Sequence, residues 1–323
     1  MGVSGRYALR RLGQMLLLLL GILAINFALI HLAPGDPIYM LAGQSGDERY
    51  YAEQRARYGL DRPLPEQFVR YAAGVLHGDL GYSFTYARPV LEVIAGRVPA
   101  SLLLSVTALV LATVFGLALG VAAGARPGTA LDAGANLLAL LGAATPAFFL
   151  GQILMLVFAA GLGWFPIQGM RTARAALTGW PELLDVARHL VLPALTFCLL
   201  QLALIVRLTR VSLREALAED FVRTARAKGL PPHLLLSRHA LRHALLPVVT
   251  VVGGHAGTIM TGAVLTEIIF AWPGLGRLLY DATLARDYPL LLALLLLASL
   301  VVLLANLAVD LLYAALDPRV RYG

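Results

Sequence analysis

Residues 220–247 read DFVRTARAKGLPPHLLLSRHALRHALLP, a basic stretch between two long apolar runs. Asp220 suits a helix N-cap, Phe221 to Lys228 a helix of about two turns, and Gly229 the left-handed C′ position that stops it. Pro231 and Pro232 then bar continuation. A helix this short is marginal alone and needs a surface to pack on. The spacing predicts a small face (Ala225, Ala227) for that packing and a basic face carrying Arg223 and Arg226 opposite it. The residues alone are also readable as a surface turn rich in orienting arginine. His239 and His243 stand four apart, as metal ligands on one helical face can. No cysteine or third ligand accompanies them, and Arg238 and Arg242 would repel a cation, so no metal site is expected.

The chain around this segment is strongly apolar. It has 323 residues, of which 59% are hydrophobic and only 14% charged, with a mean hydropathy of +0.76. Soluble chains carry about a quarter of their residues as Asp, Glu, Lys and Arg. Disorder is excluded as well, because disordered chains are poor in apolar residues. The composition is that of a membrane protein. Cys198 is the single cysteine, so no intrachain disulfide or Cys-rich zinc site can form.

A bilayer core needs about 20 mostly apolar residues per helix. Six runs meet this approximately: 12–32, 100–124, 135–160, 190–206, 244–269 and 290–309. The fourth is short and should extend; the fifth is long and interrupted by Gly253-Gly254, where tilt or bending is expected. The first run exceeds a signal-peptide core and lacks a clear cleavage site, which predicts a retained anchor. With the N-terminus placed in the cytoplasm, the inner segments hold 14 of the 26 basic residues and 6 of the 19 acidic ones. Their net charge is then +8 against −1 on the other side, and most of the bias lies in 207–243. The overall +7 is thus a signal of orientation, not of nucleic-acid binding. Trp164, Trp180 and Trp272 all fall in outer loops, where interfacial anchoring accounts for them. The one long outer segment, 33–97, contains Phe68, Val69, Ala72 and Leu76 at the spacing of a short surface helix.

No energy source is encoded. A G-x-x-x-x-G-K-[ST] phosphate loop is absent, since Lys228, the only lysine, follows Ala227. No paired intramembrane carboxylates suggest a proton relay, and no nucleophile, base and orienting group assemble a hydrolase. The polar residues of the spans, Gln152, Gln201, His255 and Asn306 with Thr258 and Thr261, are the candidates to line a path; interhelical hydrogen bonding is the commoner role for single amides.

The 220–247 stretch resembles the cytoplasmic coupling loop of ATP-binding-cassette (ABC) importer permeases. TARAKGL followed by RHALRHALLPVVT is similar to the dipeptide/oligopeptide/nickel family. The wider pattern E-A-A-x-x-x-G has its Glu position filled here by Thr224 or its neighbours, and the later proline is displaced to Pro247; both departures look like the B-type peptide-permease subunit. Further matches follow in order: HLAPGDP (31–37), GLDRPL (59–64), GDLGYS (78–83), LGWFPIQG (162–169), EIIFAWPGLGRLLYDA (267–282), RDYPL (286–290) and NLAVDLLYAALDPR (306–319).

The resemblance implies an all-α integral membrane protein of the bacterial or archaeal cytoplasmic (inner) membrane. Its fold would be the type I ABC importer permease fold, with six transmembrane helices and both termini cytoplasmic. Residues 1–97 would form the first helix and outer segment, and 98–323 a five-helix core with the coupling loop at about 207–243. The chain would pair with a homologous permease subunit, two ABC ATPase subunits and an extracytoplasmic solute-binding protein. ATP and Mg would bind the ATPases; no cofactor and no catalytic residue belongs to this chain. Asp220, Arg223, Thr224, Ala225, Arg226, Ala227, Lys228 and Gly229 would meet an ATPase groove. Asp79, Glu267 and Trp272 are the implied outer gate or binding-protein contacts. The cargo would be di- or oligopeptides, with nickel or another small solute as the alternative. A self-sufficient secondary transporter is the reading from another class, and it leaves the capped basic loop without a role.

Overall fold

A computed structural model of the chain describes residues 5–32, 38, 46–58, 60–173, 177–257 and 263–316. The order of elements is α1 (Gly5–Leu32), α2 (Glu48–Tyr58), α3 (Leu64–Leu76), a hairpin of β1 (Tyr82–Ser83) and β2 (Arg88–Pro89), then α4 (Val90–Ala125), α5 (Ala130–Ala144) and α6 (Ala147–Leu154). A π-helical turn (Met155–Gly161) follows, then α7 (Trp180–Ala218), α8 (Asp220–Ala227), α9 (Pro232–Leu234) and a second π-helical turn (Leu235–Ala240). The last are α10 (Leu241–Gly257), α11 (Val264–Ile269), α12 (Leu275–Leu284) and α13 (Tyr288–Leu316). Helix dominates because an apolar medium offers backbone groups no other partner.

Among the described residues, α4, α7 and α13 are long and apolar enough to cross a bilayer, and the bent α5–α6 pair makes up to four such spans. The expected 135–160 span is not one straight helix. It bends by 107° between its two halves, where Thr145 is extended and Pro146 follows. The residue before a proline is pushed out of the helical region, so the break is local in origin. The expected short fourth span is the 39-residue α7, which accommodates Pro193 inside it. Helix α10 continues through Gly253-Gly254 to Gly257. Helix α2 and the hairpin lie outside the elements that the sequence predicts.

The chain divides into two compact units, Met1–Ser101 with Gly274–Gly323, and Leu102–Pro273. Within the first unit α1 and α13 lie together. There Asn26 Nδ2, buried in α1, donates to the Leu292 carbonyl of α13 at 3.3 Å. Helix α3 docks on the end of α1 through Phe27, whose ring meets Phe68 edge-on at 5.5 Å and Tyr71 at 6.1 Å. His31 Nε2 donates to Gln67 Oε1 at 3.0 Å, and Gln67 Nε2 donates to the Leu60 and Arg62 carbonyls. The surface helix is therefore present, but its phase differs from the apolar expectation. Buried Gln67 points inward while Val69 and Leu76 are exposed, because a satisfied amide faces the neighbouring helix as readily as an apolar group. Asp287 fastens the hairpin to the start of α13, accepting from Ser83 Oγ at 2.5 Å, Thr85 N at 3.2 Å and Leu290 N at 3.4 Å.

The second unit is built around α7, whose most apolar stretch is 67% buried, against 28% for α4 and for α13. Helices α5, α6 and α10 pack on it. Glycines in α4 let α7 approach closely. A Cβ at Gly116 would lie 2.7 Å from Ile205 Cγ2, one at Gly120 2.6 Å from Thr209 Cβ, and one at Gly124 3.1 Å from the Arg210 carbonyl. Hydrocarbon gives apolar helices no reason to associate by hydrophobicity, so such small-residue seams supply the packing contact. Trp272 is fully buried, which corrects its assignment as an interfacial anchor; Trp164 and Trp180 are exposed.

Candidate functional site

Helix α8 opens at Glu219, which occupies the extended N-cap position, so Asp220 is the first helical residue rather than the cap. The Asp220 carboxylate is exposed and accepts from Arg223 NH1 at 3.3 Å, while Thr224 Oγ1 donates to the Asp220 carbonyl at 2.9 Å. An acidic group in the first turn also complements the helix dipole. The C-terminus closes as a Schellman motif. Gly229 adopts φ +79°, its N–H donates to Arg226 O at 3.0 Å, and Leu230 N–H donates to Ala225 O at 3.3 Å. This left-handed position is the one the sequence predicts for Gly229.

The helix is held by its seat. Val222 is fully buried and Ala225 nearly so, against Leu213 and Ala216 of α7 and Leu235, Ala240 and Ala244 on the other side of the turn. Burying one valine is worth about 1.5–3 kcal/mol, enough to offset much of the cost of nucleating a two-turn helix. The Phe221 ring lies 4.7 Å from that of His243. Only half of the predicted small face is inside, because Ala227 is exposed along with Arg223, Thr224, Arg226, Lys228 and Gly229. Val222, three residues before Ala225, shares its inward face, whereas Ala227, two residues after it, turns away. Arg226 and Lys228 have no ion-pair partner among the described residues, and Arg238 and Arg242 are also exposed. The outcome is a rigidly seated, cationic knob that offers no buried acid, nucleophile or metal ligand set. Among the described residues no group of three or more His, Cys, Asp or Glu is placed to hold a metal ion.

Helix α7 is also tied to α5 by a pair that no sequence motif marks. Arg210 of α7 grips Asp132 at the start of α5 with two bonds, Nε to Oδ1 and NH2 to Oδ2, the latter at 3.1 Å. Gly128 N–H donates to the same carboxylate at 3.0 Å, and Thr129 Oγ1 caps α5 by accepting from Asp132 N. Asp132 precedes the apolar run, and the Arg210 guanidinium holds its carboxyl well below the usual range, at about 2. With the folded pKa lowered, the pair's contribution is present above the ordinary carboxylate pKa and is lost only as pH falls through about 2. Replacing Asp132 by Asn is expected to lower the thermal midpoint in detergent by a few degrees. The loss should be the same at pH 5 and pH 8; a loss confined to one of these would show that the pair is not ionised throughout.

The other sequence candidates are placed one by one. Gln152 is exposed, Gln201 is buried with its Oε1 unpartnered, and Asn306 is exposed in the other unit. The side chain of His255, and Thr258 and Thr261 altogether, lie outside the described residues. Asp79 is exposed and accepts from Gly81 N–H at 3.0 Å. Glu267 and Trp272 are buried, linked by Trp272 N–H to the Glu267 carbonyl at 2.8 Å.

Comparison with known proteins places this architecture. Residues 116–322 match the family described as binding-protein-dependent transport system inner membrane component, and residues 5–105 match its N-terminal counterpart. The chain is 41% identical to the dipeptide transport system permease protein DppB of Escherichia coli (strain K12), over 98% of this chain and 99% of that protein. The di/tripeptide transport system permease protein DppB of Pseudomonas aeruginosa (strain UCBPP-PA14) is also 41% identical, over 97% and 98%. So is the glutathione transport system permease protein GsiC of Salmonella paratyphi A (strain ATCC 9150 / SARB42), over 98% and 99%. Among solved structures, the MetNI methionine ABC transporter in inward-facing conformations shares the fold, at 18% identity and a TM-score of 0.54 over 70% of this chain and 97% of that one. A near-full-length likeness and two adjoining family matches make this chain a member of the binding-protein-dependent inner membrane components, the multi-pass permease subunits of ABC importers in the cytoplasmic membrane.

Proposed function

We propose that this chain forms half of the translocation pathway of an ATP-driven importer of short peptides and receives the ATPase stroke through α8. The observation that carries the reading is the seated helix itself: a two-turn element closed at Gly229, anchored by Val222 and Ala225, with Arg223, Arg226 and Lys228 turned outward. An exposed, pre-ordered cationic helix presents a docking surface whose ordering cost is already met. Two relatives named for dipeptides or di- and tripeptides, and one named for glutathione, support a peptide cargo.

In this reading both termini and α8 face the cytoplasm, six segments cross the membrane, and a second permease subunit completes the path. Two ATPase subunits bind ATP and Mg, and a solute-binding protein docks outside. This chain then carries no catalytic residue and no cofactor. ATP binding favours one packing of the paired permeases and the loaded binding protein the other, so each ligand shifts a shared equilibrium.

Reconstitution in proteoliposomes tests this directly. Peptide uptake should require the ATPase subunits, ATP and the binding protein. Uptake that persists without any ATPase subunit would establish a self-sufficient carrier instead. Reversing charge at Arg226 and Lys228 (R226E/K228E) is expected to reduce uptake by roughly tenfold or more, since close charge pairs at interfaces couple by about 1.5–7 kcal/mol. The variant should still reach the membrane, and ATPase co-purification should weaken further as salt is raised.

A further inference from the structure

The N-terminal unit contains a half-open cleft of about 310 Å³ between α1, α3 and the beginning of α13. Small-molecule sites occupy roughly 300–1,000 Å³ and combine an apolar floor with a few polar groups. The floor here is Phe27, Tyr71, Leu292 and Leu296, and the charged groups are Arg70 and Asp79. Arg70 has no hydrogen-bonding or ionic partner among the described residues. Asp79 spends one oxygen, Oδ1, on Gly81 N–H. The other oxygen has no partner among the described residues. The remaining polar wall is the His31–Gln67 pair, whose groups already satisfy one another. One cation and one anion are thus offered at the border of an apolar cleft.

We propose that this cleft binds a short zwitterionic peptide, with Arg70 receiving its C-terminal carboxylate, Asp79 its N-terminal ammonium and the apolar floor its side chain. The inference rests on the peptide-import reading and adds to it a binding site on this subunit's own outer segment. The charge pair selects the ligand class. An anionic amphiphile would satisfy Arg70 but meet repulsion from Asp79, and a purely apolar chain would leave both charges unanswered. Charge-assisted hydrogen bonds at both termini fix length and orientation while the floor tolerates different side chains. A zwitterionic lipid headgroup carries the same two charges, so the test must separate peptide from lipid.

The test uses the assembled permease–ATPase complex in nanodiscs, without solute-binding protein, and a dipeptide of alanine and photo-leucine. Illumination should label α1, α3 or α13 around Phe27, Tyr71 and Leu292, with free Ala-Leu competing. N-acetylated Ala-Leu and Ala-Leu amide should compete at least roughly tenfold less well, because each lacks one charge. Arg70→Gln and Asp79→Asn should each reduce labelling by a similar factor, whereas Glu66→Gln, on the same helix but outside the cleft, should not. Equal competition by the blocked peptides overturns the proposal without depending on the folding of any variant. Labelling that vanishes in phosphatidylethanolamine discs and is not restored by excess dipeptide assigns the cleft to lipid and overturns it too. If the complete importer moves dipeptides yet the cleft is never labelled, this site is wrong while the import reading stands. If the complete importer moves no peptide at all, both fall.

Discussion

Uptake by the complete importer is expected to fall by roughly tenfold or more when Gly229 is replaced by valine, with the subunit still folded in the membrane. A Cβ at this position would meet nothing within 4 Å, so no clash is introduced. The penalty lies in the backbone, because φ is +79° and a left-handed residue with a side chain costs about 1–2 kcal/mol, more when it is β-branched. That strain falls on the two bonds that close α8, Gly229 N–H to Arg226 O and Leu230 N–H to Ala225 O. The helix is only eight residues long, so losing its closing turn removes the geometry of Arg226 and Lys228. Global stability should change little, since the seat made by Val222 and Ala225 lies earlier in the helix. Transport and thermal midpoint measured on the same preparation separate the two effects. Uptake within twofold of the unaltered protein would remove α8 as the coupling element.

The largest loss of folded protein is expected at Gly120. Its Cβ would stand 2.6 Å from Thr209 Cβ and 2.9 Å from the Val206 carbonyl, and a backbone atom cannot be moved aside by a rotamer change. Leucine there must force α4 and α7 apart, at a cost of about 1–3 kcal/mol or more. Because α7 is the helix on which α5, α6 and α10 also pack, that separation disturbs the whole second unit. Membrane accumulation of G120L, followed by size-exclusion chromatography in mild detergent, should fall several-fold. Alanine at Gly134 is the matched control, since its Cβ meets nothing within 4 Å and a helical alanine gains about 1 kcal/mol over glycine. Wild-type accumulation of G120L would show that the seam is looser than its geometry indicates.

How much of this was readable beforehand depends on the kind of signal involved. Gly229 and the prolines after it are punctuation, and the chain obeys them. The burial of α8 is harder to read. Its seat is formed by Leu235, Ala240 and Ala244, spaced five and then four apart, and the five-residue step belongs to the π-helical turn over Leu235–Ala240. A search at the 3.6-residue period does not register such a step. The Asp132–Arg210 pair is similarly hidden, because its members lie 78 residues apart and neither sits in a motif. Proline gave opposite results at two positions. Pro146 marks a sharp bend, whereas Pro193 lies inside a continuous helix. Neighbouring helices and side chains in a membrane bundle can re-satisfy what a proline frees, so its effect depends on packing that no single residue reveals. The buried Trp272 has the same lesson, since aromatic residues in outer loops serve belts and cores alike.

The length of α7 has a mechanical consequence. At 39 residues it extends about 58 Å, nearly twice the thickness of a bilayer core. One end joins α8 through the single residue Glu219, and near the other Asp185 holds Thr172 through its N–H at 2.7 Å and its hydroxyl at 2.6 Å. From Pro193 to Ala218 the helix runs about 38 Å, so a tilt of about 5° there becomes a sweep of roughly 3 Å at its tip. Pro193, thirteen residues from the start, cannot donate to the His189 carbonyl, and a helix yields most easily where such a bond is missing. The stiff arm therefore runs from Pro193 to the basic knob, and the short arm beyond it can yield without loosening the end that carries the knob.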